Sequence, residues 1–562
     1  MPPENSVHST HPPLVSGRLA VWEWIALLTL FCLPPLVGMA RHPLWIDEAQ
    51  TLFPVATPST TFVDFARSSL TLGGSLQVTP LYAILVALWA RIFPTTELAL
   101  RCVNLPFLVL TAVVARAYVW HLPLRTRAGR WWALALIGLS PFYVYYSFDL
   151  RPYASLICFG GMMGLGLVWI ATWDRRGPWW FAFGFGLAFL SQPTVVVIAP
   201  LLGLLLVLLA RRDLARSFQL WRRAWIVAFA LCVPGGIFYY LVRHGSGAQS
   251  FGGRPDLKNV IFVLFEFAGF SGLGPTREQL RTLAPPEGAE SMLSGVTLTW
   301  LDWWPVALAA GLWIVGLATL FWLARPRRDT ASTSTSAFLL NAAFFVGGLL
   351  SVAIFFYFFR YRFLPRHICF LYLPFMFALL ALAASARLRG SVRVFAPLAV
   401  LGFATSAGQL LLNPRYARDD FRSIFARWQE GRKVDPELRV WAFSYPPSFL
   451  YYAGAEKVLY LDEAQAEIWN RIGPASYRRA ILGPAHLVEL GAYKVVCVRH
   501  PTPEAWAALL AANRGQRLIL AVNRGTEFDR HNRARDFVRN PAISAELLPS
   551  VPFVESFQAR VP

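Results

Sequence analysis

The chain has 562 residues, 56% of them hydrophobic and 15% charged, with a formal net charge of +20 and a mean hydropathy of +0.46. That apolar content exceeds what soluble globular proteins carry and marks a membrane protein. The positive charge does not point to nucleic acid, because the basic residues fall in short hydrophilic segments between apolar runs, as the positive-inside rule requires of cytoplasmic loops.

The segment up to Arg18 is polar. Val21 to Ala40 then supplies about the 20 apolar residues a bilayer crossing needs, and with no small-residue cleavage site it reads as a retained anchor. Just past its exit, RHPLWIDEAQT (Arg41 to Thr51) sets Asp47 and Glu48 side by side. Pro80 to Phe93 is too short for a crossing, and counting it would invert every later basic loop. It therefore reads as a helix in the outer interface, a short tilted span being the alternative.

Further spans are expected at Arg101 to His121, Trp131 to Tyr146, Tyr153 to Thr172, Trp179 to Leu190, Pro193 to Ala210, Ala224 to Val242, Trp303 to Ala324, Ala337 to Tyr357, His367 to Ala386 and Val394 to Leu412. With the first helix the total is about eleven. The basic loops Leu124 to Arg130, Trp173 to Pro178, Arg211 to Arg223, Arg325 to Asp329 and Arg387 to Arg393 then share the cytoplasmic side. This places the N-terminus inside a cytoplasmic (inner) membrane and the C-terminus outside. Residues 413–562 are polar, with strand-like LRVWAFS, KVLYL, YKVVCVRH and RLILAVN between helical stretches, which predicts an extracytoplasmic α/β domain after a 1–412 membrane domain. It has neither a Walker loop nor a GxGxxG, which disfavours nucleotide binding. Five of the six cysteines lie in apolar runs and no CxxC spacing occurs, so neither a disulfide framework nor a cysteine zinc site is indicated.

The outer face thus collects residues 41–100, the turn after Tyr146, the long loop 243–302 and RYRFLPRH (Arg360 to His367). Ionisable groups at the edge of a hydrocarbon phase are costly unless paired or working. Asp47 and Glu48 stand at the exit of the first helix, and Asp149 with Arg151 at the exit of the third; a local ion pair of Asp149 with Arg151 is the plainer reading. Arg360, Arg362, Arg366 and His367 break the charge rule, and an anionic lipid-linked phosphate would compensate them, ordinary headgroups being the alternative. In the long loop, Lys258 and Glu266, with Arg254 and Arg277, are the polar candidates of a flap around the apolar piece Asn259 to Gly269, which equally fits a packing helix. Carboxylates beside a basic patch are the parts needed to move a sugar from a phosphate leaving group to a hydroxyl.

The order LWIDEAQT, TPLYAIL, LALRCVNLPFLVL, LIGLSPFYVYYSFDLRPYASL resembles the first third of the GT-C glycosyltransferases, a class that includes protein O-mannosyltransferases and lipid A aminoarabinose transferases. The resemblance, good over Val21 to Thr172, is nearest to bacterial family-39-like members. It implies a GT-C fold and an inverting hexosyl or pentosyl transfer from a polyprenyl-phosphate sugar to a glycan, lipid or protein hydroxyl. It also implies Asp47 as base, with Glu48 holding acceptor, base or metal, and Asp149, Arg151 and Tyr153 as the second acidic site. Metal use varies among such enzymes, and Mg or Mn at Asp47 and Asp149 is an option that two dispersed carboxylates do not establish. Val78, Thr79 and Pro80 depart from the His-Pro-Pro or Lys-Pro-Pro that often begins the interfacial helix in the members it resembles. A ligase taking a diphosphate-linked oligosaccharide and a lipid-sugar transporter are the rival readings. The transporter is disfavoured because the charges gather at one face and no repeated half is visible.

Overall fold

The structure is a computed structural model and describes residues 20–45, 48, 51, 79–124, 126–211, 213–245, 257–276, 300–323, 333–359, 363–385, 391–416, 419–444, 451–454, 456, 458–461, 480–482, 489–523, 533–540, 542–543, 545–548 and 554–561. Its membrane part runs α1 (Val21–Arg41), α2 (Pro80–Ile92), α3 (Glu97–Arg101), α4 (Leu105–His121), α5 (Arg127–Gly138), α6 (Pro141–Ser147), α7 (Tyr153–Ala171), α8 (Gly177–Ser191), α9 (Ala199–Ala210), α10 (Leu214–Gly245), α11 (Leu257–Phe267), α12 (Trp300–Leu323), α13 (Thr333–Phe358), α14 (Tyr372–Ser385) and α15 (Ser391–Leu412). Every apolar run expected to span is helical. Among the described residues, eight helical stretches are long and apolar enough to cross a membrane, some of them joined through short 3₁₀ turns. The third run is instead split into α5 and α6 at Ser140–Pro141, where proline takes the first helical position and cannot continue the preceding helix.

Helix α7 is the axis of the bundle, with every residue from Tyr153 to Ile170 buried. A helix apolar on all sides belongs inside. Small residues set how closely its neighbours approach. A Cβ at Gly184 would fall 2.9 Å from the Phe159 carbonyl oxygen, and one at Gly160 only 1.9 Å from that of Phe370. Phe370 lies in the 3₁₀ segment Pro365–Leu371, which also carries Arg366 and His367. Because a backbone carbonyl cannot swing aside as a side chain can, Gly160→Ala is expected to destabilise the protein by about 1–3 kcal/mol. Thermal unfolding of the detergent-solubilised protein measures this.

Contacts sort the helix ends onto two faces. On one, Arg127 at the start of α5 pairs with Glu23 at the start of α1. Arg116 and Arg130 lie over the Trp120 ring, Arg176 over Trp169, and Arg216 over Trp173. Arginines stacked on tryptophans at helix ends suit a membrane–water boundary. The end of α1, the α6–α7 turn and the Pro365–Leu371 segment form the opposite face, where the C-terminal region docks.

That region begins with α16 (Phe421–Val434) and contains β1 (Arg439–Phe443), β2 (Val458–Leu461), β3 (Ala480–Leu482), β4 (Val495–Val498), α17 (Pro503–Ala512), β5 (Arg517–Asn523), α18 (Arg533–Arg539), β6 (Glu546–Leu547) and β7 (Val554–Arg560). The strands form one sheet in the order β3-β2-β4-β1-β5-β7-β6. The first five are parallel, and β7 and β6 extend the sheet antiparallel. Both faces are covered, which is why the parallel strands read as continuous apolar runs. Phe421, Ile424, Phe425 and Trp428 of α16 pack on one face, and Trp506, Leu509 and Phe537 on the other. The four strands legible in the sequence are present, and β3, β6 and β7 are additional.

Candidate active site

The loop leaving α1 is folded around one buried ion pair. Arg101, at the end of α3, directs Nε to Glu48 Oε1 at 2.8 Å and Nη2 to Glu48 Oε2 at 2.6 Å, with both side chains fully buried. Its remaining N–H groups donate to the carbonyls of Met39, His42 and Pro43. These lie at and beyond the C-terminus of α1, where carbonyls lack helical partners and a cation is favoured. Glu48 in turn accepts from the main-chain amides of Leu150 at 2.7 Å and Trp45 at 3.2 Å. With two donors on each oxygen, its acceptor capacity is filled.

The same loop is stitched to the α6–α7 turn at two points: Leu150 donates to Glu48, and Arg151 Nη1 donates to Thr51 Oγ1 at 3.1 Å. Asn104, in the 3₁₀ turn Cys102–Asn104, fixes that turn by donating to the carbonyls of Ser147 and Asp149 and accepting from Tyr82 Oη at 2.9 Å. Asp149 is itself buried. The His42 ring stacks on Phe148 at 4.9 Å, and Gly38 leaves the space that Phe148 occupies. The two acidic segments, about a hundred residues apart in the chain, are therefore neighbours.

The basic segment reaches the same place. The Arg366 guanidinium lies over the Trp45 ring, 5.7 Å from its centre, within cation–π range. His367 turns its ring edge toward Phe356, and its carbonyl accepts from Gln192 and Thr194, tying the segment to the start of α9's 3₁₀ lead-in, Pro193–Ile198. From the long loop, α11 inserts Glu266, whose Oε2 accepts from Tyr146 Oη at 2.7 Å. The Tyr146 ring meets the Tyr153 ring edge-on at 5.3 Å. Glu266 is thus linked through one aromatic layer to the turn bearing Asp149.

Asp47, Arg360, Arg362, Arg254 and Arg277 lie outside the described residues, as does the side chain of Lys258. Among the described residues no three of His, Cys, Asp and Glu gather as a metal site would require. Sequence reasoning missed Arg101, Asn104 and Trp45. The available signal was an arginine and an asparagine three residues apart at the mouth of an apolar run, polar groups that a membrane edge tolerates only when bonded.

The C-terminal region grips this loop directly. Tyr452 Oη accepts from the Leu44 amide at 2.8 Å, Tyr451 Oη donates to the Thr95 carbonyl at 3.1 Å, and Arg422 donates to the Arg41 carbonyl at 2.7 Å and to Glu97 at 3.2 Å. Burial, reinforced by Glu97, pushes the Tyr451 hydroxyl up to about 12 and Tyr452 well above the ordinary phenol value. Both phenols therefore stay protonated at neutral pH.

Two crystal structures of ArnT from Cupriavidus metallidurans share this fold. The apo structure matches at a TM-score of 0.51 and 14% identity, covering 96% of this chain and 98% of that one. The structure bound to undecaprenyl phosphate matches at 0.50 and 13%, with the same coverage. No protein-family model matches the chain, and a search of curated proteins finds no match. The likeness runs nearly end to end, so the observed fold, a helical membrane core followed by an α/β region, is the one those two structures share.

Proposed function

We propose that this chain is a membrane glycosyltransferase that moves a sugar from a polyprenyl-phosphate donor to a hydroxyl of a glycan, lipid or protein, at the outer face of the cytoplasmic membrane. The observation that carries the reading is the meeting of the WIDE loop, the Asp149 turn and Arg366 at one helix-end face. The shared fold with an ArnT that binds undecaprenyl phosphate supports the lipid-linked donor.

In the reaction, Asp47 takes the proton of the acceptor hydroxyl as its oxygen bonds to the anomeric carbon from the side opposite the phosphate. The anomeric carbon–oxygen bond to phosphate breaks, and its electron pair leaves with the lipid phosphate. Attack from the opposite side inverts the anomeric centre. Arg366, with Arg360, Arg362 and His367, holds the departing phosphate through charge-assisted hydrogen bonds. Glu48, its oxygens taken, is a positioning residue that fixes the loop bearing Asp47 instead of meeting acceptor or metal. Asp149, Arg151 and Tyr153 form the second wall, and Glu266 fixes Tyr146 behind it. A charge-free central helix favours an enzyme over a transporter, whose charged sites lie near the midplane.

The test is release of polyprenyl phosphate by purified protein from a panel of polyprenyl-phosphate hexoses and pentoses, each offered with hydroxylated acceptors. Loss of one charge-assisted contact, about 1.5–3 kcal/mol, predicts that Arg366→Ala raises the donor KM roughly tenfold or more. A panel in which no donor is consumed would overturn the reading.

A further inference from the structure

The helix-end face opposite the candidate active site carries a charge imbalance that its own side chains do not offset. Arg127, exposed at the start of α5, donates to Glu23 Oε1, and the other oxygen of Glu23 accepts from the Ala20 amide at 3.0 Å, just ahead of α1. Glu23 is thereby committed to one guanidinium and one helix start. Arg130 lies three residues further along the same side of α5. It has no carboxylate partner among the described residues, and its Nε–H is shielded from solvent without a hydrogen bond. Charged groups at a membrane edge are costly in that condition, and an anion from outside the chain relieves it.

Aromatic rings hold the cations in one place. Arg130 and Arg116 share the Trp120 ring, 5.2 and 4.8 Å from its centre, while Arg116 also lies 5.4 Å from the centre of Trp24 and Arg127 lies 4.8 Å from that of Trp22. Three guanidinium groups and one described carboxylate thus form a single patch with an excess of positive charge. A stacked guanidinium gives its face to the ring and keeps its N–H groups at the edge, as the fork that grips phosphate oxygens. Indole is a donor only, so the rings orient these cations without supplying an acceptor.

We infer that this patch is a binding site for the phosphate headgroup of an anionic phospholipid. The surface beside it selects a lipid over a soluble anion. Trp22, Ile25, Thr29 and Leu33 are exposed along α1, at the three- and four-residue intervals that keep side chains on one side of a helix. This largely apolar stripe runs from the arginines along the helix axis, where an acyl chain attached to the bound phosphate would lie. On the same face, Arg176 differs. It is bonded to both carboxylate oxygens of Asp174 and so has its anion already.

The experiment takes full-length protein, stripped of lipid in detergent, into an equimolar mixture of phosphatidylethanolamine, phosphatidylglycerol and cardiolipin and counts retained lipids by native mass spectrometry, beside Arg130→Gln, Trp120→Leu and Arg176→Gln. Wild type is expected to retain the two anionic lipids over phosphatidylethanolamine. Arg130→Gln removes charge-assisted donors, so that retention should fall about tenfold or more, while unfolding without lipid stays near the wild-type temperature. Trp120→Leu keeps every charge but takes away the ring that Arg116 and Arg130 share, and should lose retention as well. Arg176→Gln removes the same unit of charge from the same face and should lose none. Equal retention of the three lipids by wild type, full retention by Trp120→Leu, or equal losses in Arg130→Gln and Arg176→Gln would leave only the diffuse attraction of a basic surface and overturn the site. Displacement of the bound lipid by inorganic phosphate at the same concentration would mark a soluble-anion site and overturn the lipid assignment. No sugar donor enters the measurement, so its outcome is independent of the transferase reading.

Discussion

Asp47→Asn is expected to lower turnover by about 10²- to 10⁴-fold, the usual contribution of a positioned general base, while binding of polyprenyl phosphate stays near the wild-type level. Asparagine matches aspartate in shape but cannot take up the acceptor's proton. The loop should survive the change, because its geometry is set by the flanking residues: Glu48 holds Arg101 and the Leu150 amide, and Thr51 accepts from Arg151. Single-turnover release of polyprenyl phosphate, with donor affinity measured separately, distinguishes loss of chemistry from loss of binding. A variant that turns over at the wild-type rate with every accepted donor would remove Asp47 from its assigned role.

The helical architecture was legible because a bilayer imposes a length and a composition on each span, and arginine placement then orders the loops. The convergence of LWIDEAQT with SFDLRPY was legible only as an expectation that two outer-face signals meet. What joins them is Asn104 and a main-chain amide at Leu150, and neither advertises itself in sequence. Glu48 illustrates the reverse difficulty. A carboxylate next to a candidate base looks chemical, but whether its lone pairs are available depends on Arg101, 53 residues away. In the C-terminal region, β3, β6 and β7 escaped notice for different reasons. The first two have three and two residues, too few for a periodicity. The third, VESFQAR, mixes polar residues into a strand whose outer neighbour is only β6. The docking of Tyr451, Tyr452 and Arg422 onto the α1 exit and the start of α3 is a tertiary fact with no local signature at all.

Arg101→Met is expected to destabilise the protein by about 3–5 kcal/mol, the cost of stranding a buried carboxylate without its counter-ion. Turnover should be lost with it, since the loop before Asp47 is no longer held. Buried ion pairs can often be replaced by apolar residues at little cost, and the paired substitution Glu48→Leu with Arg101→Met tests whether that holds here. The geometry says it does not. Between them the two side chains satisfy the amides of Trp45 and Leu150 and the carbonyls of Met39, His42 and Pro43. An apolar pair would leave these five main-chain groups unbonded in a buried setting, at about 1–3 kcal/mol for each that water cannot reach. The double variant is therefore expected to be no more stable than Arg101→Met, whereas Arg101→Lys, which restores the charge but not the planar fork, should recover part of the loss. Unfolding in detergent by denaturant, followed by near-ultraviolet signals, ranks the three. Wild-type stability in the double variant would mean that these main-chain groups find other partners, and that the ion pair does not organise the loop.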